Sequence, residues 1–180
     1  MRMKTSDEAL AIAAAGGDRE AFGLLIRTHY DRIYRMGWRL TGAQHDAEDL
    51  AHDIMVALPA KLRSYRGDAK FTTWLYRVVM NAATDRARKS QRRAKAREGW
   101  GEDYKNRAAD AAEANEAQDW LNNAMRSLPE ELRETVALTL GEELTQKETA
   151  EVMGLSEGTI AWRMSEVKKH LRALAEKEAI

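Results

Sequence analysis

Apolar side chains recur three and four residues apart along nearly all of this 180-residue chain, and no segment alternates with the period of two that a half-buried strand needs. That pattern restricts the fold to helices packed through one apolar stripe each. Composition agrees. There are only two prolines, and the strong helix formers Ala, Leu, Glu, Arg and Lys are abundant. The spacing predicts a short helix over 7–15, broken by Gly16-Gly17. Asp18 caps a second helix, with Phe22, Leu25, Ile26, His29, Ile33, Met36 and Leu40 on one side and Gly42 as a left-handed terminator. A third begins near Gln44 and carries Ala47, Leu50, Ala51, Ile54 and Leu58. Pro59 is expected to stop or kink it, because a proline biases the residue before it out of the helical region. Tyr65 to Asp68 (YRGD) reads as a loop, and a fourth helix starts at Phe71 with Leu75, Val78, Val79 and Ala82 on its apolar side.

Between about Gln91 and Glu116 the periodicity is lost, and Trp100 and Tyr104 are the only large apolar residues. Such a stretch cannot bury enough apolar area to offset its ordering entropy, so it reads as a flexible linker. Periodicity resumes at Trp120, Leu121, Met125 and Leu128, and Pro129 opens a further helix towards Leu140. The expected fold is all-α, with two small helical domains. Residues 1–17 read as an N-terminal extension, 18–90 as the first domain, 91–116 as the linker and 117–180 as the second domain.

The formal net charge is zero, but the charges are segregated. Lys61 to Arg97 carries a net +10, Glu98 to Asp119 a net −5, Glu130 to Glu151 another −5, and Arg163 to Lys177 a net +3. Alternating blocks suit separate surfaces for a polyanion and for a basic protein partner. They also suggest that acidic segments cover basic ones in the free chain, so that a fragment ending at Arg97 would bind single strands more tightly than the full chain. The absence of cysteine excludes a disulfide framework, a thiolate metal site and a Cys nucleophile. No apolar run approaches the roughly 18 residues of a membrane span, and the N-terminus lacks a signal-peptide core. A soluble cytoplasmic protein without membrane insertion is expected.

Thr145 and Glu148 fit a capping box, Gly154 a sharp turn and Ser156 a second N-cap. With small Ala150 at the crossing and Ile160, Met164, Val167, Leu171 and Leu174 on one face, this is a helix-turn-helix pattern. Its second helix would enter the major groove with Thr159, Trp162, Glu166 and Lys169 outward and Arg163 at the edge. On the helix from Phe71, the residues Arg77, Asn81, Thr84 and Arg88 form a stripe opposite the apolar face. Trp74 borders it, and Lys89, Arg92, Arg93, Lys95 and Arg97 extend the charge. Cations neutralise phosphates, Asn reads a base edge and aromatics stack on unpaired bases, so this face suits single-stranded DNA. Asp46, Asp49 and Asp53 form an acidic stripe at i, i+3 and i+7, a docking surface for basic protein or a solvated face. The run HDAEDLAHD also brings His45 and His52 outward, in the manner of metal phosphohydrolases. That chemistry needs further convergent His and Asp, and only His29 and His170 remain. No metal, cofactor or catalytic residue is expected.

The segments DAEDLAHDIMVAL, YRGDAKFTTWLYRVVMNAATDRARK and LTQKETAEVMGLSEGTIAWRMSEVKKHLRAL, in this order and spacing, resemble the extracytoplasmic-function (ECF) sigma factors of bacterial RNA polymerase. The resemblance spans about Asp18 to Leu174 and implies a sigma-2 domain followed by a sigma-4 domain. It implies that Asp46, Asp49, His52 and Asp53 dock on the polymerase clamp, and that the protein also meets the flap. It further implies that Tyr65, Arg66, Gly67, Asp68, Lys70 and Phe71 hold a base flipped from the minus-ten element. Trp74, Arg77, Asn81 and Arg88 would help melt and read that element. Ser156, Thr159, Trp162, Arg163, Glu166 and Lys169 would read the minus-thirty-five element. The partners implied are core RNA polymerase, promoter DNA in double- and single-stranded form, and an anti-sigma factor, with a monomer when free. A decoy that titrates an anti-sigma factor and a stand-alone helix-turn-helix regulator are the alternatives. The chain departs from the family where His52-Asp53 replaces Gln-Glu, at Pro59, at Ala161-Trp162 in place of Lys-Ser, and at Glu166, where a basic residue is common. Fewer cations on that helix imply weaker phosphate contacts and an altered minus-thirty-five preference.

Overall fold

Residues 6–98 and 116–178 are described by the structure, a computed structural model, and they form eight α-helices and one short π-helical turn, with no strand among them. Side-chain oxygens set the first boundaries. Ser6 accepts from the Ala9 N–H to open α1 (Asp7–Ala15), and Asp18 accepts from the Glu20 and Ala21 N–H groups to open α2 (Arg19–Thr41). Gly42 closes α2 in the left-handed region at φ +71°, as its position in the sequence demanded. Helix α3 (Gln44–Leu62) runs through Pro59 instead of ending there. Pro59 lies in the last turn and forfeits one backbone bond, while buried Leu58 and Leu62 on either side seat that turn in the core. Helix α4 (Phe71–Glu98) begins where a carboxylate of α1 reaches it, with Glu8 Oε1 accepting from the Phe71 N–H at 3.1 Å. That bond and the Ser6 hydroxyl hold the Glu8 carboxyl below its usual pKa.

Helices α1 to α4 share a core of which Leu25, Ile33, Leu50, Ile54, Phe71 and Leu75 are each 1% exposed. Residues 7–15 are part of that packing, since Ala11 is fully buried and α1 lies against α2, α3 and α4. Of the stretch expected as a linker, residues 91–98 continue α4, residues 99–115 lie outside the described residues, and 116 opens α5 (Glu116–Ser127). Helix α6 (Glu130–Val136) is shorter than its apolar pattern implied, because the chain widens into a π-helical turn over Ala137–Gly141. Helices α7 (Gln146–Met153) and α8 (Glu157–Glu178) complete the second body. Its own core joins Met125, Leu128, Leu132, Val136 and Val167, with Met164 and Leu171 against them.

The two bodies are packed on each other. Ala137, Leu138 and Val152 of the second body are buried within the core of the first. Tyr76 and Met80, off the apolar stripe expected for α4, are buried for the same reason: α4 is covered on a second side by α7.

Candidate nucleic-acid interfaces

The helix-turn-helix forms as its punctuation dictates. Thr145 and Glu148 complete a reciprocal capping box, Gly154 turns the chain at φ +66°, and Ser156 Oγ accepts from the Thr159 N–H at 3.1 Å to start α8. The Cβ of any other residue at 154 would meet left-handed strain. Ala150 and Ile160, 5% and 0% exposed, lock the two helices together. Outward on α8, Trp162 stands 59% exposed and Lys169 pairs with Glu166 at 2.6 Å. Arg163 turns back to the Glu131 carbonyl at 3.3 Å, while Ser156 and Thr159 join hydroxyls at 2.9 Å. Trp162, Lys169 and Glu166 are available on this face to a partner.

The loop before α4 is braced from within. Tyr65 and Phe71, 7% and 1% exposed, pack edge to face at 5.8 Å, and half-buried Trp74 stacks against both. The Tyr65 hydroxyl donates to the Ala69 carbonyl at 2.7 Å, and burial, with Glu8 and Asp68 adding, raises its pKa. In the free chain both rings face inward and hold the loop's shape. Arg66, Asp68 and Lys70 remain exposed, and Gly67 adopts φ +82° at the tip.

On α4 the expected DNA-reading stripe faces the second body. Arg77 donates from Nε to the Val152 carbonyl at 3.2 Å and from Nη2 to the Glu151 carbonyl, so its guanidinium caps the C-terminus of α7. Thr84 donates to Glu134 at 3.1 Å, and burial pushes the Glu134 carboxyl above its usual pKa. Arg77, Asn81 and Thr84 form one wall of a cleft of about 390 Å³, with Glu134, Val152 and Gly154 opposite. Arg88 lies exposed beyond it.

Asp46, Asp49 and Asp53 line one outer edge of α3, and all three meet a cation that the spacing did not reveal. Arg86 of α4 stands 3.3 Å from Asp46, 2.8 Å from Asp49 and 3.4 Å from Asp53. Burial opposes charge on Arg86, but its bonds to Asp49 and Asp46 outweigh that and raise its pKa. One guanidinium leaves most of the negative charge unmatched, and the carboxylates stay open to solvent at 46–70% side-chain exposure. His52 projects outward beside them, and Val56, 69% exposed, extends the same edge. His45 sits 3.9 Å from Asp49, whereas His29 is buried on Asp7.

Comparison with known proteins identifies two matching families. The family described as Sigma-70 region 2 matches residues 25–93, and that described as Sigma-70, region 4 matches residues 118–171. The ECF RNA polymerase sigma factor SigM of Mycobacterium tuberculosis is 31% identical over 173 residues, spanning 96% of this chain and 86% of that protein. The ECF RNA polymerase sigma factor SigW of Bacillus subtilis is 28% identical, spanning 87% and 89%. Among solved structures, CnrH in complex with the cytosolic domain of CnrY shares the fold with a TM-score of 0.73 at 24% identity, over 96% of this chain and 99% of that one. The sigma factor RpoE in complex with the anti-sigma factor NepR from Bartonella quintana does so with a TM-score of 0.72 at 22% identity, over 86% and 96%. The two regions fall on the two helical bodies, and the chain belongs to the ECF RNA polymerase sigma factors.

Proposed function

We propose that this chain binds bacterial core RNA polymerase and directs it to promoters as an alternative sigma factor, the polymerase supplying the chemistry. The carrying observation is that one chain holds an acidic docking edge on α3, a basic stripe on the adjoining α4 and a capped helix-turn-helix. Asp46, Asp49 and Asp53, with His52 beside them, meet a basic coiled coil of the clamp, and the second body meets the flap. The loop of Tyr65, Arg66, Gly67, Asp68, Lys70 and Phe71 holds a base flipped from the minus-ten element, with Gly67 permitting close backbone approach and the Tyr65 and Phe71 rings shaping the pocket. Trp74, Arg77, Asn81 and Arg88 melt and read that element through stacking, phosphate neutralisation and base-edge contacts. Helix α8 presents Ser156, Thr159, Trp162, Arg163, Glu166 and Lys169 to the minus-thirty-five element in the major groove.

The protein works in the cytoplasm as a monomer, without a cofactor. An anti-sigma factor restrains it, by analogy with the complexes in which CnrH and RpoE were solved. Transcription by core polymerase on fragmented genomic DNA, with and without this protein, tests the reading. New starts sharing two spaced elements are expected. Absence of new starts together with absence of binding to core would overturn it in favour of a decoy or a stand-alone regulator.

A further inference from the structure

The contact between the two bodies has a polar centre that neither the docking edge nor the recognition helix uses. Glu142, which follows the π-helical turn, has a side chain only 4% exposed. Its Oε1 accepts from Arg39 Nη1 at 2.8 Å, and its Oε2 accepts from the Tyr76 hydroxyl at 3.1 Å. Arg32 Nε stands 3.2 Å from Oε2 as an ion pair without hydrogen-bond alignment. All three partners belong to the first body. A buried carboxylate is tolerated when cations and donors surround it, and removing one side of such a cluster strands the other.

Around this centre the bodies cap each other's helices. Arg126 donates from Nε and Nη2 to the Gly42 carbonyl, and Arg133 donates to the Leu40 carbonyl at 3.1 Å, so two arginines of the second body satisfy the C-terminus of α2. In return Arg77 of the first body satisfies the C-terminus of α7. The side chains so used include Arg77, one of the two arginines of the stripe on α4. The cleft left there is near the small end of ligand pockets, about 300–1,000 Å³, and the second body forms its opposite wall.

We infer that this arrangement is a latched resting state, in which Glu142, seated between Arg32, Arg39 and Tyr76, holds the second body over the DNA-reading face of α4. The inference rests on the proposed reading of α4. It adds a regulation intrinsic to the chain: the free protein blocks its own single-strand face, and a binding-competent form exists only as a minor open population. Apparent affinity for DNA falls by that population, and whatever separates the bodies restores it.

The chain has no cysteine, so the full-length protein takes a donor and an acceptor dye specifically at Lys61→Cys and Lys168→Cys, exposed positions on the two bodies. Single-molecule energy transfer should show one high-transfer population in the otherwise unaltered chain. Glu142→Ala and Glu142→Arg should each lower the closed-to-open ratio about a hundredfold or more. Arg39→Glu added to Glu142→Arg should restore high transfer, and far-UV circular dichroism should stay constant throughout. High transfer that persists in both single variants overturns the latch, as does failure of the reversed pair to close again while helicity is intact. The same variants are titrated with a fluorescein-labelled 12-nucleotide single strand of mixed sequence. Glu142→Ala should bind about tenfold or more tightly than the unaltered chain. Opening without any gain in DNA affinity overturns the reading of α4 as the DNA face and leaves the latch standing.

Discussion

Helices α4 and α8 present the same kind of chemistry to different surroundings. Each sets basic side chains opposite an apolar face with an aromatic ring nearby, and each begins at a capped turn. On α8 that chemistry points outward, with Trp162 59% exposed and only Arg163 drawn back to its own body. On α4 the equivalent positions face the second body: Arg77 caps α7, Thr84 meets Glu134, and Asn81 lines the cleft between them. The difference lies in what else can use a cation. The C-terminus of a short helix offers unpaired carbonyls, and an arginine from a neighbouring body serves them as well as it serves a phosphate. A basic stripe therefore counts as a nucleic-acid surface only after its internal uses have been subtracted.

The largest test of this contrast strikes the support of α4. Phe71 is 1% exposed and packs on His29, Tyr65 and Trp74, so Phe71→Ala removes the ring around which the loop is built. It should cost about 3–5 kcal/mol of stability in a urea titration. A cost below about 1 kcal/mol would mean that Phe71 is a surface residue in solution.

Much of this was legible in the sequence wherever one residue decides a boundary. Asp18, Gly42, Thr145, Gly154 and Ser156 act within four residues of themselves, and all five cap or turn the chain as their types predict. Pro59 misled because its cost of one backbone bond is local, while the seating of Leu58 and Leu62 that overrides it is tertiary. Glu142 was invisible for a stronger reason. Its partners lie 66 to 110 residues away, and nothing in spacing or composition distinguishes it from its exposed neighbour Glu143. The charge blocks hinted that an acidic segment covers a basic one. The polar part of that contact includes three arginine caps, the Glu142 cluster, the Thr84–Glu134 bond and the Lys70–Glu148 pair, so it is made by specific partners rather than by bulk charge.

Trp162→Ala sharpens the open side of the comparison. An exposed ring that serves recognition should leave stability within about 0.5 kcal/mol. The same change should remove about 1–3 kcal/mol of discrimination between promoter sequences, read by competition binding with mutated minus-thirty-five elements. Unchanged selectivity would leave the open face of α8 without its main specificity residue. Smaller again is the effect of Gly42→Ala on the closed side. Gly42 is left-handed, and a Cβ there would stand 2.7 Å from Arg126 Cγ. The left-handed strain alone costs about 1–2 kcal/mol, and displacing Arg126 weakens a cap between the bodies. The expected reading is a lower melting temperature together with a lower transfer efficiency in the doubly labelled chain. A drop in melting temperature with transfer unchanged would confine the effect to α2.

The smallest effect links pH to the same closed face. His29 is 3% exposed, with Nε2 at 2.9 Å from Asp7, Nδ1 at 3.4 Å from Arg32 Nη1 and the Phe71 ring 5.2 Å away. The network assigns the proton: Nε2–H donates to Asp7, and Nδ1 accepts from Arg32, so the neutral ring satisfies both neighbours. Burial lowers the His29 pKa more strongly than Asp7 raises it, with Arg32 lowering it further. The folded value thus lies below the ordinary value near 6.5, and between the two the unfolded chain binds a proton that the folded chain does not. Stability from this group is present above about pH 6.5 and is lost as the pH falls through the folded value. A proton on Nδ1 would also face the Arg32 guanidinium, the cation that Glu142 needs. Melting temperature and energy transfer should therefore decline together as the pH is lowered below about 6.5, and His29→Gln should flatten that part of both profiles. A decline of equal slope in the variant would assign the pH response to groups other than His29 and uncouple it from the latch.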